Sequence, residues 1–201
     1  NATGNISISG TSTGAGYGIY NVSSLTASSG NISLQGLSTS NTGIYETGTL
    51  SATGTGATIS LVGETASGSY GVYQSANSTA DSNITYIGSE TSTAAASKTG
   101  VYLAGITLAS NNGNIVVNGA SQGNGTGVVF YSSATTWSLN APNGTVSILG
   151  YAPLTGVNGI NNNTSYSSIN AGGDITISAH GGSNSGTYGA VFFQQFVANA
   201  G

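Results

Sequence analysis

Apolar and polar positions alternate in short bursts along this chain, and the bursts return in register. One phrase reads GNISISG at 4–10, GNISLQG at 30–36, ATISLVG at 57–63 and SNITYIG at 82–88. It continues as GNIVVNG at 113–119, GTVSILG at 144–150 and GDITISA at 173–179. Its leading aliphatics, Ile6, Ile32, Ile59, Ile84, Ile115, Val146 and Ile175, recur at spacings of 25–31 residues. A second phrase follows in each copy: YGIY at 17–20, TGIY at 42–45, YGVY at 70–73 and TGVY at 99–102, with weaker versions at 126–130, 158–161 and 188–192. A third precedes the first: LTASSG at 25–30, LSATGTG at 50–56, ITLASNNG at 106–113, LNAPNG at 139–144 and INAGG at 169–173. Residues 74–83 carry no large aliphatic side chain, which predicts a loop or a thin spot there.

Short alternating runs of β-branched residues bounded by Gly and Asn are strand-and-turn signals. Three such runs in each of seven copies fit an all-β chain, folded as a single parallel β-solenoid domain over residues 1–201. About seven coils of 25–31 residues would each pair with like strands of the next, in a right-handed β-helix with three short sheets. Three apolar columns are expected inside. The first is the leading aliphatic column itself. The second is Ile8, Leu34, Leu61, Tyr86, Val117, Ile148 and Ile177, and the third is Ile19, Ile44, Val72, Val101, Val128 and Ile160, continued by Ala190 or Val191. Intervening residues such as Ser7, Ser33, Ser60 and Ser147 point outward. The Gly-Asn and Asn-Gly pairs are expected at tight corners that demand positive φ. The apolar stretch AVFFQQFVANAG (190–201) breaks the pattern and forms either a further coil or an end closure.

Composition narrows the function. Charged residues make up 3% of the chain: Lys98 is the sole cation, beside Glu46, Glu64, Asp81, Glu90 and Asp174. That leaves no electrostatic footprint for nucleic acid or an anionic membrane. Cysteine is absent, so neither a disulfide framework nor a thiolate metal site can form. Low net charge and in-register apolar residues argue against a disordered tract.

Catalytic chemistry finds little support. Glu64 and Glu90 follow the same phrase in adjacent copies and form the one carboxylate pair that glycoside hydrolysis could use. Their simpler role is as solvated turn residues. Glu46 and Asp174 fall at strand edges without an evident partner, Lys98 stands alone, and His180 reads as an exposed turn residue. No catalytic residue, metal or cofactor is expected. Tyr20, Tyr45, Tyr73 and Tyr102 recur at one phase beside the third aliphatic column, so alternation puts them outside as an aromatic stripe. Tyr17 and Tyr70 would extend it. Such a stripe suits sugar rings or a protein surface, or serves as a stabilising ladder. Asn-X-Ser/Thr sequons stand at Asn1, Asn5, Asn21, Asn31, Asn77, Asn83, Asn124, Asn143, Asn162 and Asn163.

The phrases LNAPNGTVSILG (139–150) and INAGGDITISAHG (169–181) resemble the repeats of filamentous-haemagglutinin-like large exoproteins, the two-partner-secretion adhesin family. The resemblance implies a long right-handed β-helix at a bacterial cell surface, in adhesins, biofilm matrix or toxin stalks. The secretion-domain signatures of that family are not found, and the repeats are longer and less even. Together these readings give a non-catalytic structural or adhesive rod, secreted or surface-exposed. Its expected partners are host or matrix glycans or a protein receptor. The alternatives are a filament subunit joined head to tail through open β-edges and, third, a carbohydrate-active enzyme.

Overall fold

A computed structural model describes residues 1–93, 98–131, 136–153, 158–164, 166–183, 187–192 and 195–201. Each coil contributes one strand to each of three parallel seven-stranded sheets. The first sheet holds Ile6–Ser12, Ile32–Ser38, Ile59–Thr65, Ile84–Glu90, Ile115–Ser121, Val146–Tyr151 and Ile175–His180. The second holds Ile19–Asn21, Ile44–Glu46, Tyr70–Gln74, Thr99–Ala104, Thr126–Tyr131, Ile160–Asn163 and Ala190–Phe192. The third holds Leu25–Ala27, Leu50–Ala52, Ser78–Ala80, Thr107–Ser110, Trp137–Ala141, Tyr166–Ala171 and Gln195–Ala200. The chain is a parallel β-solenoid, and at about 4.8 Å per strand the stack is roughly 30 Å tall.

The register is the one the repeated phrases define. Ile6 pairs with Ile32, Ile32 with Ile59, and so on to Val146 with Ile175. Ile32, Ile59, Ile84, Ile115 and Val146 are fully buried, each worth about 1.5–3 kcal/mol relative to exposure. In the second column Ile8 stays exposed, because the first coil has a neighbour on one side only. Ala190–Phe192 and Gln195–Ala200 are the seventh strands of the second and third sheets, so the described parts of the 190–201 stretch continue the coils.

Residues 74–83 are no thin spot. Ser78–Ala80 is a strand of the third sheet, with Ser78 between Leu50 and Leu108 in the ladder. The missing bulk comes from the neighbouring sheet. Tyr86 takes the place of Leu61 and Val117, is fully buried, and its hydroxyl lies 2.6 Å from Ser78 Oγ. A small polar residue and a large one with a polar tip together fill the space two aliphatics fill elsewhere.

Most of the corner glycines answer a need for space, not for φ: a methyl group on Gly30, Gly113, Gly119, Gly144 or Gly159 would lie 2.0–2.6 Å from its nearest neighbour, whereas Gly4 stands in open space. Among the described residues only Gly56 and Gly105 have positive φ. Gly10, Gly36, Gly63, Gly88, Gly119 and Gly150 form an inward column on the first sheet. A methyl group on any of them would lie 2.0–2.2 Å from the carbonyl oxygen of the glycine facing it, Gly43 for Gly36 and Gly71 for Gly63. The first two sheets therefore converge on a glycine-lined edge. The asparagines before the first sheet stitch coils together instead. Oδ1 of Asn5, Asn31, Asn83 and Asn114 accepts the backbone N–H of Asn31, Thr58, Asn114 and Thr145 at 2.8–2.9 Å.

Candidate functional site: the tyrosine ladder

Ile44, Val72 and Val101 point into the core, so the residue after each must point out. Tyr20, Tyr45, Tyr73 and Tyr102 accordingly stand on the outer face of the second sheet, in register across four coils. Ring centroids are 5.3, 4.6 and 5.5 Å apart along the ladder, with interplanar angles of 7°, 4° and 13°. Parallel rings this close must overlap face to face, since side-by-side rings would clash. The inner faces are thus covered by each other, and the ladder offers ring edges and phenol groups to the outside.

Tyr17 leans across the first gap at 5.0 and 5.3 Å from Tyr20 and Tyr45, tilted by 45° and 53°. Tyr70 does the same across the third gap, 5.3 Å from Tyr73 and 4.9 Å from Tyr102. Tyr131 also reaches Tyr102, at 5.9 Å. It lies two residues beyond Val129, which continues the column above Tyr102. Sequence reading missed Tyr131 because the phase is off by two, although two residues along a strand return to the same face. Tyr20 is the most open of the four, at 58% exposure, and the other three are half-buried. Burial and then the neighbouring phenols of Tyr73, Tyr17 and Tyr20 push the Tyr45 phenol up, and burial does so at Tyr70 and Tyr102.

The carboxylates are placed differently from the sequence expectation. Glu64 pairs with Ser89, and Glu90 with Thr65. One residue of offset puts them on opposite faces, so Glu64 is exposed while Glu90 is fully buried, and no catalytic pair forms. Glu90 is therefore no solvated turn residue, and Lys98 does not stand alone. Lys98 Nζ lies 3.8 Å from Glu90 Oε1 and donates to the Ser67 carbonyl at 2.7 Å. The inward column here runs Ser12, Ser38, Thr65, Glu90, Ser121. The hydroxyl of Ser38 donates to the Gly16 carbonyl of the preceding coil and accepts from Asn41 N–H. Glu90 accepts likewise from Ser92 N–H at 2.6 Å and from Ser121 Oγ at 3.1 Å, but its carboxylate cannot donate. Lys98 supplies the missing donor.

Glu46 also has partners. It is fully buried between Asn21 and Gln74 in the second sheet. Asn21 Nδ2 donates to both carboxylate oxygens and Gly48 N–H donates to Oε1, each at 2.8 Å. Burial outweighs these bonds and raises its pKa to about 7. His180 ends a strand of the first sheet and stacks on Tyr151 at 5.1 Å, so it is not a turn residue. Among the described residues no three of His, Cys, Asp and Glu gather as metal ligands. Several sequon asparagines have structural work. Asn162 is fully buried, accepting from Trp137 Nε1 at 2.8 Å and donating to Ser167 Oγ.

The fold and its surface define a parallel β-solenoid bearing an outward tyrosine ladder. No protein-family model matches the chain, and neither curated proteins nor solved structures give a match.

Proposed function

We propose that this chain is a non-catalytic structural and adhesive rod, part of a secreted or surface-exposed bacterial adhesin of the filamentous-haemagglutinin-like kind. The observation that carries the reading is the outward stack of Tyr20, Tyr45, Tyr73 and Tyr102 across adjacent coils. Its neighbourhood is nearly uncharged, because the chain's one cation is engaged by Glu90 and Glu46 is buried. With ring faces covered, the stripe contacts a partner through ring edges and a row of phenols spaced one per coil. That chemistry suits glycans or a protein surface rich in hydroxyl and amide groups. Contact is weak at each ring and adds up along the rod. Division of Glu64 from Glu90 supports the non-catalytic reading.

The test is a binding screen of the immobilised chain against glycans and matrix proteins, repeated with Tyr45→Ala and Tyr73→Ala. Each substitution removes about 0.5–1.5 kcal/mol of aromatic contact, so affinity falls a few-fold to about tenfold. A ligand bound equally well by wild type and both variants would remove the stripe from the function.

A further inference from the structure

The ladder has a chemical capacity separate from adhesion. Tyr45 and Tyr73 are its closest and most nearly parallel pair, at 4.6 Å and 4°. In-register pairing relates the two residues by little more than the step from one coil to the next. Each carbon ortho to a hydroxyl therefore lies about as far from its counterpart as the ring centroids do. Both rings are partly exposed on the outer face, within reach of a small oxidant. Thiols and methionine, the usual competing sinks for oxidation, are absent from the chain.

We propose that Tyr45 and Tyr73 form an oxidative cross-linking site, joined as dityrosine by a one-electron oxidant generated from peroxide. Each phenol gives up its hydroxyl hydrogen as one proton and one electron. The two phenoxyl radicals couple, and a C–C bond forms between their ortho carbons as the rings turn about their Cβ–Cγ bonds to bring those carbons together. Each ring regains aromaticity as its ortho hydrogen leaves as a proton and the oxygen takes one up. In sum two protons and two electrons leave the pair, and these same protons and electrons reduce one hydrogen peroxide to two waters. The product ties the second coil covalently to the third, across a sheet otherwise joined by hydrogen bonds and packing.

The test treats the whole chain, dilute enough to suppress encounters between molecules, with peroxide and a haem peroxidase or with a photo-generated one-electron oxidant. The expected result is a monomer lighter by two hydrogen atoms, with dityrosine fluorescence and a cross-linked peptide containing Tyr45 and Tyr73. Tyr45→Phe and Tyr73→Phe keep the stack and lose this product, whereas Tyr131→Phe retains it. Cross-links confined to dimers, cross-links mapped to another pair at comparable yield, or an undiminished monomer product in Tyr73→Phe overturn the proposal. Ligand binding plays no part in the readout, so failure of the adhesive reading leaves this result intact.

Discussion

Glu46 makes the stability of the solenoid depend on pH in a direction opposite to that of most paired carboxylates. Its carboxyl is buried between the first and third coils, and its pKa rises from 4.5 in the free side chain to about 7 in the fold. Between those values the folded chain holds a proton that the unfolded chain has released. The contribution of Glu46 to stability is therefore greatest below about pH 4.5, falls as pH climbs through the window, and levels off above about pH 7. At 1.36 kcal/mol per unit the full difference is about 3 kcal/mol. Water penetration and relaxation around the ionised carboxylate bring that down to about 1–2 kcal/mol. The assay is urea unfolding at both ends of the window, for wild type and Glu46→Gln. The amide stays neutral and keeps an oxygen for Gly48 N–H and Asn21 Nδ2, so the fall due to Glu46 is missing from its profile. Every other titrating group is common to the two proteins, and the difference between their profiles belongs to Glu46. A wild type that gains stability over the variant as pH climbs through the window, or a variant that falls as steeply as wild type, refutes the reasoning.

Three further outcomes follow from the packing, all measured by denaturant unfolding. Gly63→Ala puts a methyl 2.2 Å from the Gly71 carbonyl and costs about 1–3 kcal/mol or more, while Gly14→Ala, with open space around it, stays within about 0.5 kcal/mol; equal effects would deny the glycine edge. Ser78→Leu overpacks against Tyr86 and costs about 1–3 kcal/mol, and the double variant Ser78→Leu with Tyr86→Leu recovers most of that loss. Strict additivity of the two changes would contradict the size exchange. Lys98→Met strands the buried Glu90 carboxylate and costs about 3–5 kcal/mol, and adding Glu90→Gln restores much of it. A Lys98→Met protein as stable as wild type would show that the pair contributes nothing.

The architecture was legible because periodicity survives a noisy alphabet. Seven copies of one alternating phrase dictate parallel pairing of like with like, and the observed register follows the leading isoleucines residue for residue. The outward side of the tyrosines followed from the same parity. Errors arose where one residue of register or one act of compensation mattered. Glu64 and Glu90 look equivalent as followers of the same phrase, yet the extra residue before Glu90 turns it inward. Ser78 looks like a loop residue until Tyr86, eight positions on, is seen to supply the volume. The partners of Glu46 and Lys98 lie 25 and 31 residues away, at Asn21 and Ser67, and only the stacking reveals them. Space and not φ accounts for most of the corner glycines, since a missing side chain reads the same whichever of the two requires it.

The buried exceptions have a bearing on how such a chain finds its fold. Near-identical coils invite a mistake in which one coil is skipped and its neighbours close up out of step, with every aliphatic column still satisfied. The interior is not uniform, however. Asn21 with Glu46, Ser78 with Tyr86, Glu90 with Lys98, and Trp137 with Asn162 occur at successive heights of the stack. Each is a lock that fits one key. A stack shifted by one coil would set the Glu46 carboxyl against the wrong neighbour, leave the Trp137 N–H unpaired, and press the Tyr86 ring against leucine. The polar interruptions of the core thus number the coils, and a repetitive chain acquires a single order of assembly.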